Sequence, residues 1–587
     1  MSSGTSASSP PEDAPPPTAF IADTDNGRNV VTLDLMDLNI GFDNHILNSR
    51  QNVAILGDHV FDSQTGKYLG DFEGSTYIGY FSGDGLTLVG GYEPINVSNV
   101  ADRKLVREIP WSDIRYGGLN AVSRSGRYVI QDGRLYDVAT GDTLADLYDG
   151  LVVTPEGLFD GDAEGRQSVA YRVDDGLHVA PVDRFFNELY HPGLLADLLD
   201  GRRPMPSRGL EQLVKNKPPK LKIVSPERGG EVSASNIDVT VEVHEQGGGI
   251  TGPFVRLNGQ RLKLKPIVES EDDSTFFTFT VPLTESDNRI RIESATEDGA
   301  FESDPATLQI TNVRKLARPN LYVVTIGVND YADSSMNLTC AKGDAEAIGK
   351  LFESRARKLF ENVEVHRLLD SDVTADRIKT LLTDESTGLA SRVEPKDALV
   401  LFVAGHGYTI DDNRYYFLPH NFEKQSRSYE KDVRNQGIPG DVLGDWISAV
   451  KATKRVVILD TCNAGSAVAQ LSRTRNPFAF DGAIERLSRT QGVHVIAAAS
   501  AQKEAREITS LQHGVLTYSL LAGMNAVNNG PLAENAISSS PTGAVSVNQW
   551  FEYAQAAVPA LYKKYIGEQQ DVQVRQGNSF PLLSIAP

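Results

Sequence analysis

The sequence predicts a multidomain chain in which two all-β regions precede a C-terminal α/β domain with a mainly parallel sheet. Three observations support this. At 587 residues the chain exceeds the roughly 250–300 at which single hydrophobic cores stop growing. Fifty-one glycines and 29 prolines imply many turns and therefore much β-structure. From Asn320 onward, apolar runs alternate with helical stretches, the pattern of a parallel sheet covered on both faces.

In chain order, residues 1–27 read as a disordered leader. Met1 to Thr18 is rich in Ser and Pro, carries Glu12 and Asp13, and lacks the apolar core of a signal peptide. Residues 28–185 are short apolar runs broken by Gly, Asp and Asn. Within them Phe61-Asp62-Ser63-Gln64-Thr65-Gly66-Lys67-Tyr68-Leu69 returns as Tyr136-Asp137-Val138-Ala139-Thr140-Gly141-Asp142-Thr143-Leu144. The turn Ser82-Gly83-Asp84-Gly85-Leu86 recurs about 41 residues on, near Arg124-Ser125-Gly126-Arg127-Tyr128. A turn spacing near 40, together with a D-x-x-T-G hairpin, resembles WD40-type propeller blades, one four-stranded sheet per repeat. About four blades fit, at the low end for closure, so an unspecified β-domain is the alternative. Residues 186–219 are expected to be a helix and a basic, proline-bearing linker. Residues 220–314 carry alternating strands such as Ile237–Val243 and Phe276–Val281 between Gly/Asn/Asp turns, which resembles an immunoglobulin-like sandwich.

The chemistry lies in residues 320–587. Strands are expected at Leu321–Ile326, Ala398–Val403, Arg455–Leu459 and Val493–Ala499, with helices at Asp344–Phe360 and Gly440–Lys451. In such sheets functional groups gather beyond the carboxyl ends of the strands. Two strands end in reactive residues: Val403-Ala404-Gly405-His406-Gly407 and Leu459-Asp460-Thr461-Cys462-Asn463-Ala464-Gly465. A thiolate attacks a carbonyl far better than a thiol, and a neighbouring imidazole can take its proton. Flanking glycines let backbone N–H groups approach a substrate carbonyl, as an oxyanion hole requires; Gly407 and Cys462 are the candidates.

These residues, with Tyr322–Gly327 and Tyr415-Tyr416-Phe417-Leu418-Pro419, resemble the caspase superfamily in its metacaspase, paracaspase and bacterial orthocaspase branch. The resemblance covers about Leu321 to the C-terminus. His406 and Cys462 lie 56 residues apart, close to the roughly 50 of caspase-like pairs. The animal signature Q-A-C-x-G is absent, and Asn463 stands where the metacaspase form D-x-C-H-x-G has histidine. The resemblance implies a cysteine endopeptidase with a Cys462–His406 dyad. It also implies an acidic first pocket: Asp460 two residues before the nucleophile, Asp344 in the turn before the first long helix, and Ala404 on the wall where relatives often have serine. Two such carboxylates would hold an arginine, or less well a lysine, by charge-assisted hydrogen bonds.

The remaining expectations are regulatory or negative. Ser472 through Arg486 and Arg489 is polar and carries Arg473, Arg475, Arg486 and Arg489 as candidate processing sites. Lys424 to Arg434 is a second such stretch, and ordinary solvated loops fit both equally well. The resemblance thus implies control by cleavage or by a partner, either an activating protease or a regulatory protein, and it associates bacterial relatives with defence or regulated cell death. Cys340 is read as structural, with a disulfide to Cys462 left open, and His366, His420, His494 and His513 as core or surface residues. No metal or other cofactor is expected; calcium activates many metacaspases, but Asp411 and Asp412 make no legible ligand set. The formal charge of −21 argues against nucleic acid, no apolar run approaches the roughly 18 residues of a membrane span, and two cysteines suit a reducing, cytoplasmic setting. The rival readings are a catalytically silent scaffold, against which Cys462 and His406 argue, and another cysteine-dependent hydrolase or transferase.

Overall fold

The computed structural model describes residues 20–22, 29–33, 45–48, 50–74, 79–91, 94–109, 121–131, 133–174, 177–271, 274–410, 414–463, 479–498, 511–533, 536–537, 543–565, 567, 572–575 and 577–585. The chain divides into two units. One comprises Met1–Arg166 and Leu195–Met205; the other comprises Gln167–Leu194 and Pro206–Pro587.

The first unit is built from antiparallel meanders in which each strand pairs with its sequence neighbours. Strands His45–Asn48 to Tyr68–Asp71 form one four-stranded sheet, Tyr80–Phe81 to Leu105–Ile109 another, and Ala121–Val122 to Phe159–Gly161 a six-stranded one. The repeated D-x-x-T-G element makes the same turn twice. Asp62 accepts from the N–H groups of Gln64 and Thr65, Asp137 accepts from that of Ala139, and Gly66 and Gly141 supply the positive φ.

In the second unit, residues 220–312 form a two-sheet sandwich of four and five strands. Period-2 alternation turns Val239, Val241, Val243, Phe279 and Val281 of one sheet onto Val255, Leu257, Ile290, Ile292 and Ile310 of the other.

Among the described residues the C-terminal sheet has eight strands. We number them β1 (Leu321–Gly327), β2 (Val363–Leu369), β3 (Ala398–Thr409), β4 (Tyr415–Phe417), β5 (Ile438–Pro439), β6 (Lys454–Asn463), β7 (His494–Ala497) and β8 (Gln573–Arg575). The order is β2-β1-β3-β6-β7-β8; all but β8 along this path are parallel, and β4 extends from the far end of β3 to β5. The domain's longer helices among the described residues are α1 (Ala341–Arg355), α2 (Ala375–Thr383), α3 (Tyr429–Gln436), α4 (Gly440–Ala449), α5 (Ala479–Gln491), α6 (Val515–Gly523) and α7 (Val547–Tyr565).

Near-continuous apolar strands follow from covering both faces. Val324, Leu401, Val403, Val457 and Leu459 face a core shared with Ile378 of α2, Leu443 and Ile447 of α4 and Ile484 of α5. Their alternates Val323, Val400, Phe402, Val456 and Ile458 face α1, α6 and α7. Trp550 of α7 is fully buried in the second core and donates its indole N–H to Leu520 O at 2.9 Å, tying α7 to α6. Trp550→Ala should therefore destabilise this domain by about 3–5 kcal/mol, measured by chemical denaturation.

Candidate active site

β3 and β6 are parallel neighbours paired without a slip from Ala398↔Lys454 to Gly407↔Asn463, which sets His406 opposite Cys462 and Ala404 opposite Asp460. Adjacent strands lie about 4.8 Å apart, so the backbones of the two candidate reactive residues are neighbours across the ladder.

His406 is fixed at two atoms. Its backbone N–H donates to Tyr331 Oη at 2.8 Å, and its imidazole Nε2 lies 2.8 Å from Met336 O. A carbonyl only accepts, so Nε2 carries the proton and the lone pair of the neutral ring sits on Nδ1, the atom that can act as base. The Tyr331 ring packs against the imidazole at 5.0 Å between centroids. At Gly407 a Cβ would come within 2.6 Å of the Tyr415 ring, whose hydroxyl donates to Thr461 Oγ1 at 3.0 Å. Glycine here keeps the backbone close to this pair.

The two acids implied for the first pocket come together although 116 residues separate them in the chain. Asp344 lies in the first turn of α1 and Asp460 near the end of β6, and both are buried. Asp344 Oδ1 contacts His513 Nδ1 at 2.6 Å, and its Oδ2 accepts from the Gly514 N–H at 3.1 Å. Asp460 Oδ2 accepts from the Thr517 N–H at 3.0 Å and the Thr517 hydroxyl at 2.5 Å. Thr517 is in the first turn of α6, whose N–H groups have no partner within the helix. A Cβ on Gly514 would lie 2.6 Å from Asp460 Oδ2 and 3.2 Å from Asp344 Oδ2. Only glycine lets the chain enter between the carboxylates. Burial, and then the charge of Asp344, hold the Asp460 carboxyl well above the ordinary carboxylate range, against the pull of the Thr517 bonds and His513.

Sequence reading missed Met336, whose carbonyl leaves no mark in a sequence, and also Tyr331, Gly514 and Thr517. His513, expected in the core or on the surface, instead contacts Asp344; its only sequence signal is the His-Gly pair ahead of an apolar helix. Cys340 is buried, with its Sγ 3.7 Å from Thr339 Oγ1.

Arg473 and Arg475 lie outside the described residues, as do Asp411 and Asp412. The loop reading is corrected for Arg486 and Arg489, which belong to helix α5. Arg489 pairs with Asp183 and, at 2.8 Å, with Glu302, and it stacks over Phe186; Arg486 stacks over Tyr190. A peptide bond inside a docked helix is not presented in the extended form a peptidase cleaves. Of the second stretch, the part from Tyr429 is helix α3.

Residues 321–567 match the family model described as the caspase domain. No curated protein matches the chain. Among solved structures, the chain is similar over 19% of its length to one titled "Tandem Ig repeats of Dlar", at 14% identity and a TM-score of 0.12, covering 60% of that structure's chain. A score this low says nothing about the fold. The caspase-domain match supports a cysteine peptidase acting on protein substrates. Among the described residues no helix is long and apolar enough to cross a membrane.

The raised Asp460 carboxyl has a thermodynamic consequence. The folded chain holds this proton at pH values where the unfolded chain has lost it, so its contribution to stability is complete below the ordinary carboxylate pKa and lost as pH rises through the raised one. Asp460→Asn removes that loss. Its stability relative to the parent should grow between the acid and neutral ends of a series of denaturant titrations; a difference that does not change with pH would contradict the assignment.

Proposed function

We propose that the C-terminal domain is a cysteine endopeptidase that cleaves proteins after arginine, and less well after lysine, through Cys462 and His406. The in-register pairing of His406 with Cys462 on neighbouring parallel strands is the main support. The convergence of Asp344 and Asp460 on Gly514 supports the basic specificity.

In this mechanism His406 Nδ1 takes the thiol proton, and the Cys462 thiolate adds to the scissile carbonyl. The oxyanion is received by the N–H groups of Gly407 and Cys462. The imidazolium, its Nε2–H held by Met336 O, returns the proton to the leaving amine, and water then hydrolyses the thioester. The Tyr331 and Met336 contacts keep the ring from turning away during this exchange. Asp344 and Asp460 receive the guanidinium of the residue before the scissile bond. That cation supplies the positive charge their proximity calls for and favours the ionised form of Asp460. No cofactor enters the scheme; calcium activation stays an open proposal. Control by cleavage or by a bound regulatory protein fits a polar segment, residues 464–478, that follows the nucleophile directly in sequence and contains Arg473 and Arg475.

The test is hydrolysis of a peptide library varied at the residue before the scissile bond. Cleavage after Arg and Lys should vanish in Cys462→Ala. Asp460→Asn should lower kcat/KM for Arg peptides by roughly 30- to 1000-fold, the loss of one partner of a buried charge pair at about 2–4 kcal/mol. Cleavage only after Asp would overturn the specificity. Silence of the parent protein towards every peptide, before and after limited proteolysis, would favour the scaffold reading.

A second measurement concerns pH. Binding of a basic side chain needs ionised acids, so kcat/KM for Arg peptides should fall on acidification already above the ordinary carboxylate range. An acid limb at the ordinary carboxylate pKa would show that Asp460 does not govern binding.

A further inference from the structure

Away from this site, the five-stranded sheet of the sandwich carries an unusual row of side chains. In strand register Arg256 stands directly opposite Arg261 on one side and Arg291 on the other. Three like charges abreast on adjacent strands destabilise a sheet unless something neutralises them. Glu293 pairs with Arg256 Nε at 2.7 Å and with Arg291 Nε at 2.8 Å. Arg289, two residues before Arg291 on the same strand, adds a fourth cation.

These arginines line a cavity of about 620 Å³, whose wall also includes Arg489 of α5 with its partners Asp183 and Glu302. Five arginines thus face three carboxylates, in a chain whose formal charge is −21. All three carboxylates are committed, to Arg489, Arg256 and Arg291. Among the described residues none pairs with Arg261 or Arg289. Arg261 lies instead over the Phe254 ring at 3.7 Å. Burial, and then repulsion from Arg256, make its proton easier to lose, against the pull of Glu293, Asp445 and Glu302.

We propose that this arginine row is a binding site for a phosphate-bearing small molecule of nucleotide size. Guanidinium forks match phosphate oxygens bidentately, and Arg289 and Arg261 have that capacity to spare. Strands about 4.8 Å apart make the three-arginine row span roughly 10 Å, which suits two or three linked phosphates better than one. Thr251 and Ser294 on the same wall carry hydroxyls. The ligand would lie against α5, because Arg256 also donates to Arg489 O at 2.6 Å.

The experiment is calorimetric titration of the full chain with inorganic tripolyphosphate, with inorganic sulfate at matched ionic strength as comparator. One saturable site is expected, far weaker for sulfate, with affinity reduced about tenfold or more in Arg289→Ala and in Arg261→Ala. Arg289 is exposed, so its replacement should leave the fold intact, as circular dichroism would verify. Cys462→Ala should bind like the parent, which separates this result from the fate of the peptidase reading. Absence of saturable heat, equal binding of sulfate, or unchanged affinity in a folded Arg289→Ala protein would each overturn the proposal.

Discussion

The second unit depends on one ladder, the unslipped parallel pairing of β3 with β6. A shift of one residue along it would turn each strand's inward set to the opposite face, so the two covered faces of the sheet lock the register. Once Ala398 is paired with Lys454, every later pair follows, and with them the placing of His406 beside Cys462 and Ala404 beside Asp460. Precision at the site is thus inherited from Val400, Phe402, Val456 and Ile458, apolar residues that take no part in any reaction.

The acid pair shows a different economy. Burying two carboxylates near each other is unfavourable in itself, and the raised Asp460 carboxyl registers that cost. The fold limits it with donors brought from one short segment, His513 to Thr517, which reaches both acids because Gly514 has no side chain. Under the proposed specificity, the cation of a substrate would complete this set. An imbalance of the opposite sign occurs on the sandwich, where arginines outnumber carboxylates.

Much of this was legible in the sequence. Each expected strand of the C-terminal sheet lies within an observed one or overlaps it, because uninterrupted apolar runs such as Ala398–Val403 have no other stable home than a sheet covered on both sides. His406 and Cys462 stand out because each follows a buried strand, whereas Asp344 and Asp460 are legible only through the resemblance to caspase-like sequences. The partners that orient them are not legible, since a main-chain carbonyl such as Met336 O has no residue-type signature and Thr517 reads as one more helix residue. Arg486 and Arg489 were misread as a loop because long basic side chains on a helix look polar in sequence, although their stems stack on Tyr190 and Phe186. The arginine row was invisible for a related reason. Residues 256, 261 and 291 become neighbours only through cross-strand register, which no local pattern encodes.

The strand order also fixes what a cut after the nucleophile would produce. The fragment ending in residues 464–478 would keep β2, β1, β3 and β6, while the other would keep β7 and β8, paired edge to edge with β6 through β7. Helix α5 of the second fragment would still be clasped by Asp183 and Glu302 of the first. Such a nicked protein would migrate as two bands when denatured, yet travel through a sizing column as one particle.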